Sequence, residues 1–284
     1  ATPARRLRRH WATSGARAVE DAMAQRMVTV LTGVVLGLGL SALAALLLRS
    51  VGGAWRFPRL IPHGVSLETW RSVAPDLGAS VATTLLLGLL TAVIAVVIVL
   101  ISAEALHERP RTLRRIGTVL FIPLLLPQMA FLFGWQVLLV RFELDGTRFA
   151  VCWTHAVFAL PYVWAVLADA RATLNPGYLA AARVLGAGPI RAWLTVTVPL
   201  LLRSILLAVA LAFAVSVALY LPTLFAGAGR VATLATEAAA SVVSGNLRSA
   251  AISAAAQALV PLAMFGTVLS LSRVLFRHRR GVPR

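Results

Sequence analysis

An all-α, polytopic membrane protein with six transmembrane helices is the fold class this sequence predicts, on three observations. Of its 284 residues, 59% are hydrophobic and only 13% are charged, against about a quarter charged in a soluble domain. The apolar residues come in runs of spanning length rather than at the spacing of a single buried core. Arginines and turn residues punctuate the runs instead of mixing into them.

The runs fall at roughly 27–48, 80–103, 118–140, 151–168, 203–225 and 252–275. About 20 residues at a rise of about 1.5 Å cover the hydrocarbon thickness of about 30 Å. Backbone groups cannot stay unpaired in lipid, so each run must be helical. The first run, about 22 residues long, exceeds the 7–15 of a signal peptide's apolar core and is expected to be a retained span, although the chain starts at Ala1. Pro123 and Pro127 lie in the third run, Pro161 divides the fourth, and Pro222 lies in the fifth. The organisation expected is an N-terminal arm over 1–26, a membrane domain over 27–275 and a tail over 276–284.

The net charge of +17 comes entirely from arginine among the basic residues, since the sequence has no lysine. The arginines flank the apolar runs rather than forming one stripe. They therefore read as anchors to anionic membrane lipid, and nucleic acid is not an expected partner. With the N-terminus inside, nineteen of the 27 arginines fall on the inner side, in the arm, the second and fourth connections and the tail. Loop charge thus places both termini in the cytoplasm. The outer connections are 49–79, with Pro58, Pro62 and Pro75, and 226–251, where a short helix is expected from Thr233 to Val243, closed by Ser244-Gly245-Asn246.

The inner connection around 169–202 has helix grammar of its own. Asn175 suits an N-cap and Pro176 the first turn. Helix formers follow from Tyr178 to Leu185, and Gly186 is placed to cap the end. About ten residues make a helix of roughly 15 Å, too short to stand alone in water or to span. Tyr178, Ala181, Ala182 and Leu185 share one face, with Ala180 and Arg183 on the other. Such a face suits insertion into a groove on another protein; an ordinary loop lying on the headgroups is an equal alternative on physics alone. Gly188-Pro189 starts a second helix, and Pro199 is expected to kink the entry to the fifth span.

This segment resembles the cytoplasmic "EAA" loop of the membrane permease subunits of binding-protein-dependent type I ABC importers. The family pattern runs Glu-Ala-Ala, three residues, Gly, nine residues, Ile, one residue, Leu-Pro. Here Ala180-Ala181-Ala182 is followed by Gly186, Val196 and Val198-Pro199 at the same spacing. Ala180 stands where the family has Glu. Six spans with this loop between the fourth and fifth is also the family's layout, so the resemblance covers essentially the whole chain. It implies a coupling helix seated in a cleft of a cytoplasmic ATPase, with Tyr178, Ala180, Ala181, Ala182, Arg183, Leu185, Gly186, Pro189 and Pro199 in the coupling loop. It implies two ATPase subunits, a second permease half (a copy, a homologue or a fused segment), an external substrate-binding protein and a bacterial inner membrane location. ATP and Mg belong to the ATPase, and this chain carries no cofactor; it also has no G-x-x-x-x-G-K-[ST] phosphate loop. Alanine at 180 removes an ionic anchor, so either the partner's cleft is adapted or coupling is weaker.

The spans offer less. Gln128, Trp135, Ser216, Tyr220 and Thr223 are candidate translocation-pathway residues, since intramembrane polar groups often face a pathway. Hydrogen bonding between helices is the simpler account of each, as it is for His155 and Tyr162. Asp169 and Arg171 read as a solvated local pair. Cys152, the single cysteine, excludes an internal disulfide and reads as packing. No span carries a cluster of acids, cations or His/Cys ligands, which argues against a proton-coupled carrier, a metal site and a membrane-embedded enzyme. A secondary carrier or channel not driven by ATP remains the alternative. Residues Phe57-Pro58 to Trp70 and 226–251 are candidate contacts for the binding protein. The stretch from Leu221-Pro222 to Glu237 resembles importers for sulfate, iron, polyamines or thiamine; a thiamine-like or small-anion cargo is the starting expectation.

Overall fold

The computed structural model describes residues 16–53, 64 and 66–277. Most of the predicted arm, Pro58, Pro62, the Phe57-Pro58 contact and nearly all of the tail lie outside the described residues. The chain divides into two units, Ala1–Arg49 and Ser50–Arg284. The described part of the first is helix α1, which runs Ala16–Val51 and so carries two residues into the second unit. Its stretch Met23–Val51 is long and apolar enough to cross a membrane.

The second unit is built from α2 (Glu68–Leu106), α3 (Pro110–Leu120), α4 (Ile122–Leu125), α5 (Gln128–Arg141), α6 (Arg148–Ala172), α7 (Pro176–Val184), α8 (Pro189–Ala192), a π turn (Trp193–Thr197), α9 (Val198–Ala218), α10 (Tyr220–Ala226), α11 (Leu234–Val243) and α12 (Leu247–Phe276). Helices α2, α6 and α9 pack together through small side chains. Ala92, Ala95 and Val99 meet Ala159 and Val163 of α6 and Ala208 and Ala212 of α9, all fully buried. In lipid, where burial gains nothing from leaving water, close approach of small residues is what holds helices together. One close point is Gly88, where an added Cβ would stand 2.7 Å from the Phe213 ring.

Leu77–Leu106, Arg148–Ala172, Pro189–Ala218 and Leu247–Leu275 are also long and apolar enough to span. The third apolar run differs from a single straight helix. It breaks into α3, α4 and α5, and the two arms, Pro110–Leu125 and Gln128–Arg141, bend by 102°. The cause is local: Leu126, ahead of Pro127, is extended at φ −80° and ψ 146°, as a residue preceding proline prefers. The described chain therefore has five spanning helices, or six if the bent pair is one broken span.

The fifth run is interrupted too. α9 ends at Ala218, Leu219 takes ψ 90°, and α10 restarts at Tyr220. Pro222 has no N–H for the carbonyl of Ala218, and its ring crowds that carbonyl. At its other end the helix does not simply kink at Pro199. The preceding turn widens to π geometry, and the N–H of Val198 reaches back five residues to the Trp193 carbonyl.

At the end of the bundle away from α7, two loops are joined. The Gly146 N–H donates to the Ala226 carbonyl at 2.8 Å, and Arg230 pairs with Asp145 at 3.1 Å. The expected helix after Thr233 is α11. Its capping box joins Thr233 and Thr236, with the acidic Glu237 in the first turn.

Candidate functional site

Helix α7 forms where its caps dictate. The Asn175 side chain accepts the Gly177 N–H at 2.8 Å, and Pro176 occupies the first helical position. At the other end Leu185 is the C-cap and Gly186 adopts φ +83°. The Gly186 N–H donates to the Arg183 carbonyl at 3.0 Å, and the Ala187 N–H donates to the Ala182 carbonyl at 3.0 Å. That pair of bonds is a Schellman ending, which needs a residue tolerant of positive φ at this point. Gly188 then caps α8, with Pro189 in its first turn, and the chain passes through the π turn into α9 with Pro199 near its start.

The helix leans on the π turn by one side and is open on the other. Leu179 and Ala182 are half-buried, whereas Tyr178, Ala180, Ala181, Arg183 and Leu185 are exposed. Leu185 and Val184 are both 87% exposed, and Ile190 is 73% exposed. Three of the four residues on the expected docking face are thus open, and Ala182 is turned partly inward. Val184 and Ile190 extend the open apolar patch. The spacing of Val184, three residues after Ala181, carried that information in the sequence.

Beneath the other side of α7 lies a cavity of about 210 Å³, lined by Asn175, Tyr178, Ala180 and Arg183 of the loop, His107 and Glu108 beyond α2, and Val196 and Thr197 of the π turn. Arg171 also lines it, and its partner is not Asp169. Its Nε donates to Glu104 Oε2 at 2.7 Å and its Nη2 to Oε1 at 3.4 Å. This forked pair ties the end of α6 to the end of α2, with side chains only 11% and 21% exposed. His107 Nδ1 lies 2.6 Å from the Glu104 carbonyl oxygen.

Inside the bundle the polar candidates are mostly engaged with neighbouring helices. His155 is 2% exposed. Its Nδ1 sits 2.8 Å from Ser216 Oγ and its Nε2 2.9 Å from Thr223 Oγ1, so one imidazole on α6 bridges the two pieces of the broken fifth span. Side chains also bond carbonyls on either side of the break. Thr223 Oγ1 donates to the Leu219 carbonyl at 2.5 Å, and Gln257 Nε2 donates to that of Val217 at 3.0 Å. Trp135 Nε1 donates to Thr154 Oγ1 at 2.7 Å. Tyr220 is half-buried beside the break, and Gln128 is exposed at the start of α5. Cys152 is buried, its Sγ 3.7 Å from Thr91 Oγ1. Among the described residues, no group of three or more His, Cys, Asp or Glu side chains is placed to hold a metal ion.

Two curated sequences are similar to this chain. The inner membrane ABC transporter permease protein YnjC of Escherichia coli (strain K12) is 34% identical over 163 residues, 57% of this chain and 32% of the relative. The spermidine/putrescine transport system permease protein PotC homolog of Mycoplasma genitalium is 28% identical over 167 residues, 57% of this chain and 58% of the relative. The chain thus spans about a third and somewhat over half of the length of these relatives. No protein-family model matches it. Among solved structures, a chain from a bacterial ABC transporter involved in the import of the acidic polysaccharide alginate superposes with a TM-score of 0.57 at 14% identity. The match covers 92% of this chain and 98% of that one. The chain is thus similar in sequence to two proteins named as transport permeases, and it shares its fold with a chain of an ABC transporter.

Proposed function

We propose that this chain is the transmembrane permease subunit of an ABC importer of the bacterial inner membrane. It forms the passage with a second permease half and couples ATP hydrolysis in two partner ATPases to uptake of a small solute delivered by an external binding protein. The observation that carries this reading is α7: a nine-residue helix, capped at both ends, that leaves Tyr178, Ala181, Val184 and Leu185 open at one end of the bundle. A helix this short is stable only on a support; the π turn supplies one side, and an ATPase cleft supplies the other. Arginine placement puts this end, and both termini, in the cytoplasm. The pathway candidates Gln128 and Tyr220 line the passage. Ser216, Thr223 and Trp135 instead hold the broken spans that shape it.

The relatives are named as transport permeases, which speaks against a carrier that works without ATP. Copurification tests the reading directly: the full chain, tagged and extracted in mild detergent, retains an ATPase bearing a phosphate loop, and vesicles containing both hydrolyse ATP faster with loaded binding protein. A chain that transports solute with no ATPase present overturns it. For cargo, polyamines, thiamine-like cations and small anions are the first ligands to screen on the binding protein.

A further inference from the structure

The cavity under α7 is bordered by Arg183, a cation that no acid of the cavity holds in an ion pair. Arg183 makes no ion pair among the described residues, where the salt bridges are His107–Glu108, Arg171–Glu104 and Arg230–Asp145. Neither of the two acids beside the cavity pairs with Arg183. Glu104 is held in a fork by Arg171. Glu108 lies 3.6 Å from His107 and is 76% exposed. One helical turn before Arg183, on the same side of α7, stands Ala180, whose methyl leaves the cavity of about 210 Å³ open. An acid at that position would have neutralised Arg183 from within the helix.

Docking changes what this arrangement costs. The open apolar face of α7 is contiguous with the rim on which Arg183 sits, so a cleft that closes on Tyr178 and Leu185 also strips water from the guanidinium. An arginine cannot discharge by losing its proton, and a desolvated charge without a partner is strongly unfavourable. With Glu104 held by Arg171 and Glu108 beside His107 rather than Arg183, the anion is left to whatever docks. We infer that the partner ATPase inserts an aspartate or glutamate side chain beneath α7, into the cavity beside Ala180, where it pairs with Arg183. This rests on the coupling role proposed for α7 and adds the sign of the contact: cation on the permease, carboxylate on the ATPase. The planar fork of Arg183 suits two parallel bonds to a carboxylate.

The absence of lysine from the chain makes the contact directly addressable. Arg183→Lys keeps the cation and introduces the sole side-chain amine. In the detergent-purified complex of full chain and ATPase, a water-soluble carbodiimide condenses that amine with a touching carboxylate, losing water to form an amide. The expected result is a permease–ATPase adduct mapped by mass spectrometry to one Asp or Glu of the ATPase, with no adduct from Arg111→Lys in the neighbouring connection. Ala180→Glu, which supplies a competing carboxylate one turn from Arg183, is expected to weaken ATPase association roughly tenfold. If the wild-type complex forms but Arg183→Lys gives no adduct, or if Ala180→Glu binds as well as wild type, the inference fails while the coupling role stands. If no ATPase associates with the wild-type chain, the coupling role itself fails. An effect of Arg183→Gln seen only in vesicles containing anionic lipid, and absent in detergent or in neutral lipid, assigns the cation to a headgroup and overturns the inference.

Discussion

Glu104 and Arg171 close a forked ion pair across the ends of α2 and α6, Nε to Oε2 at 2.7 Å and Nη2 to Oε1 at 3.4 Å. Arg171 lines the cavity beneath α7, and the pair fastens the end of α6, where the loop begins, to the end of α2. On the coupling role proposed for α7, a push on it would reach two spans at once, α6 through the chain and α2 through the carboxylate. This is a mechanical reason for a nearly buried charge pair at this point.

Removing one partner strands the other. Arg171→Ala is expected to lower stability by about 1–3 kcal/mol, the cost of leaving a partly buried carboxylate without its bonds. Glu104→Gln keeps one acceptor oxygen and is expected to cost less. The thermal midpoint of the detergent-solubilised protein, followed by aggregation or by a thiol probe at Cys152, measures both. The Glu104→Ala/Arg171→Ala double variant should be less damaged than the sum of the singles. Strict additivity would show that the two side chains do not work as a pair.

On the proposed coupling role, a change at Gly186 should separate coupling from folding. Its φ of +83° strains any other residue, yet an added Cβ there meets nothing within 4 Å. Gly186→Val should therefore cost about 1–3 kcal/mol locally, as backbone strain, without disturbing the bundle. The expected phenotype is normal membrane insertion and normal thermal stability of the spans, with substrate-stimulated ATP hydrolysis lost in vesicles. Stimulation at the wild-type level would show that the Schellman ending does not set the position of α7.

How far the sequence foretold these features follows from the range of the interactions. The ends of α7 and α11 were legible because each cap is made by residues within a few positions, as with Asn175 and Gly177 or Thr233 and Thr236. The proline breaks were visible as residues but not as angles. Pro127 announces an extended Leu126, but a proline in the sequence does not by itself say that the two arms meet at 102°. The sequence shows only neighbours, so it sets Arg171 beside Asp169. Its partner lies 67 positions away and is brought near only by the packing of α2 on α6. The same holds for His155, whose two contacts are 61 and 68 positions distant.

His155 is expected to control the broken fifth span. Its ring holds Ser216 before the break and Thr223 after it, so His155→Leu leaves the Ser216 hydroxyl buried without its partner while Thr223 keeps the Leu219 carbonyl. The cost should be about 1–3 kcal/mol, and α10 should lose its fixed position relative to α9. A spin-label pair across Leu219 would read this as a broadened distance distribution. His155→Gln, which can still reach one hydroxyl, should broaden it less, and an unchanged distribution in His155→Leu would show that packing alone positions α10.

The final test concerns a close approach between α2 and α9. An added methyl at Gly88 would stand 2.7 Å from both Cδ2 and Cε2 of Phe213, inside any tolerable contact. Phe213 is fully buried among α2, α6 and α9, so its ring cannot swing away without opening the central packing. Gly88→Ala should therefore destabilise by about 1–3 kcal/mol, the range for overpacking a close-packed interior. Phe213→Leu alone should also destabilise, through lost contacts and a void. Combined, the two changes relieve each other, because the smaller side chain vacates the volume that the methyl takes. The double variant should thus have a higher thermal midpoint than Gly88→Ala alone. If it melts lower than either single variant, the two residues do not share that volume, and the assignment of α2 against α9 at this level is wrong.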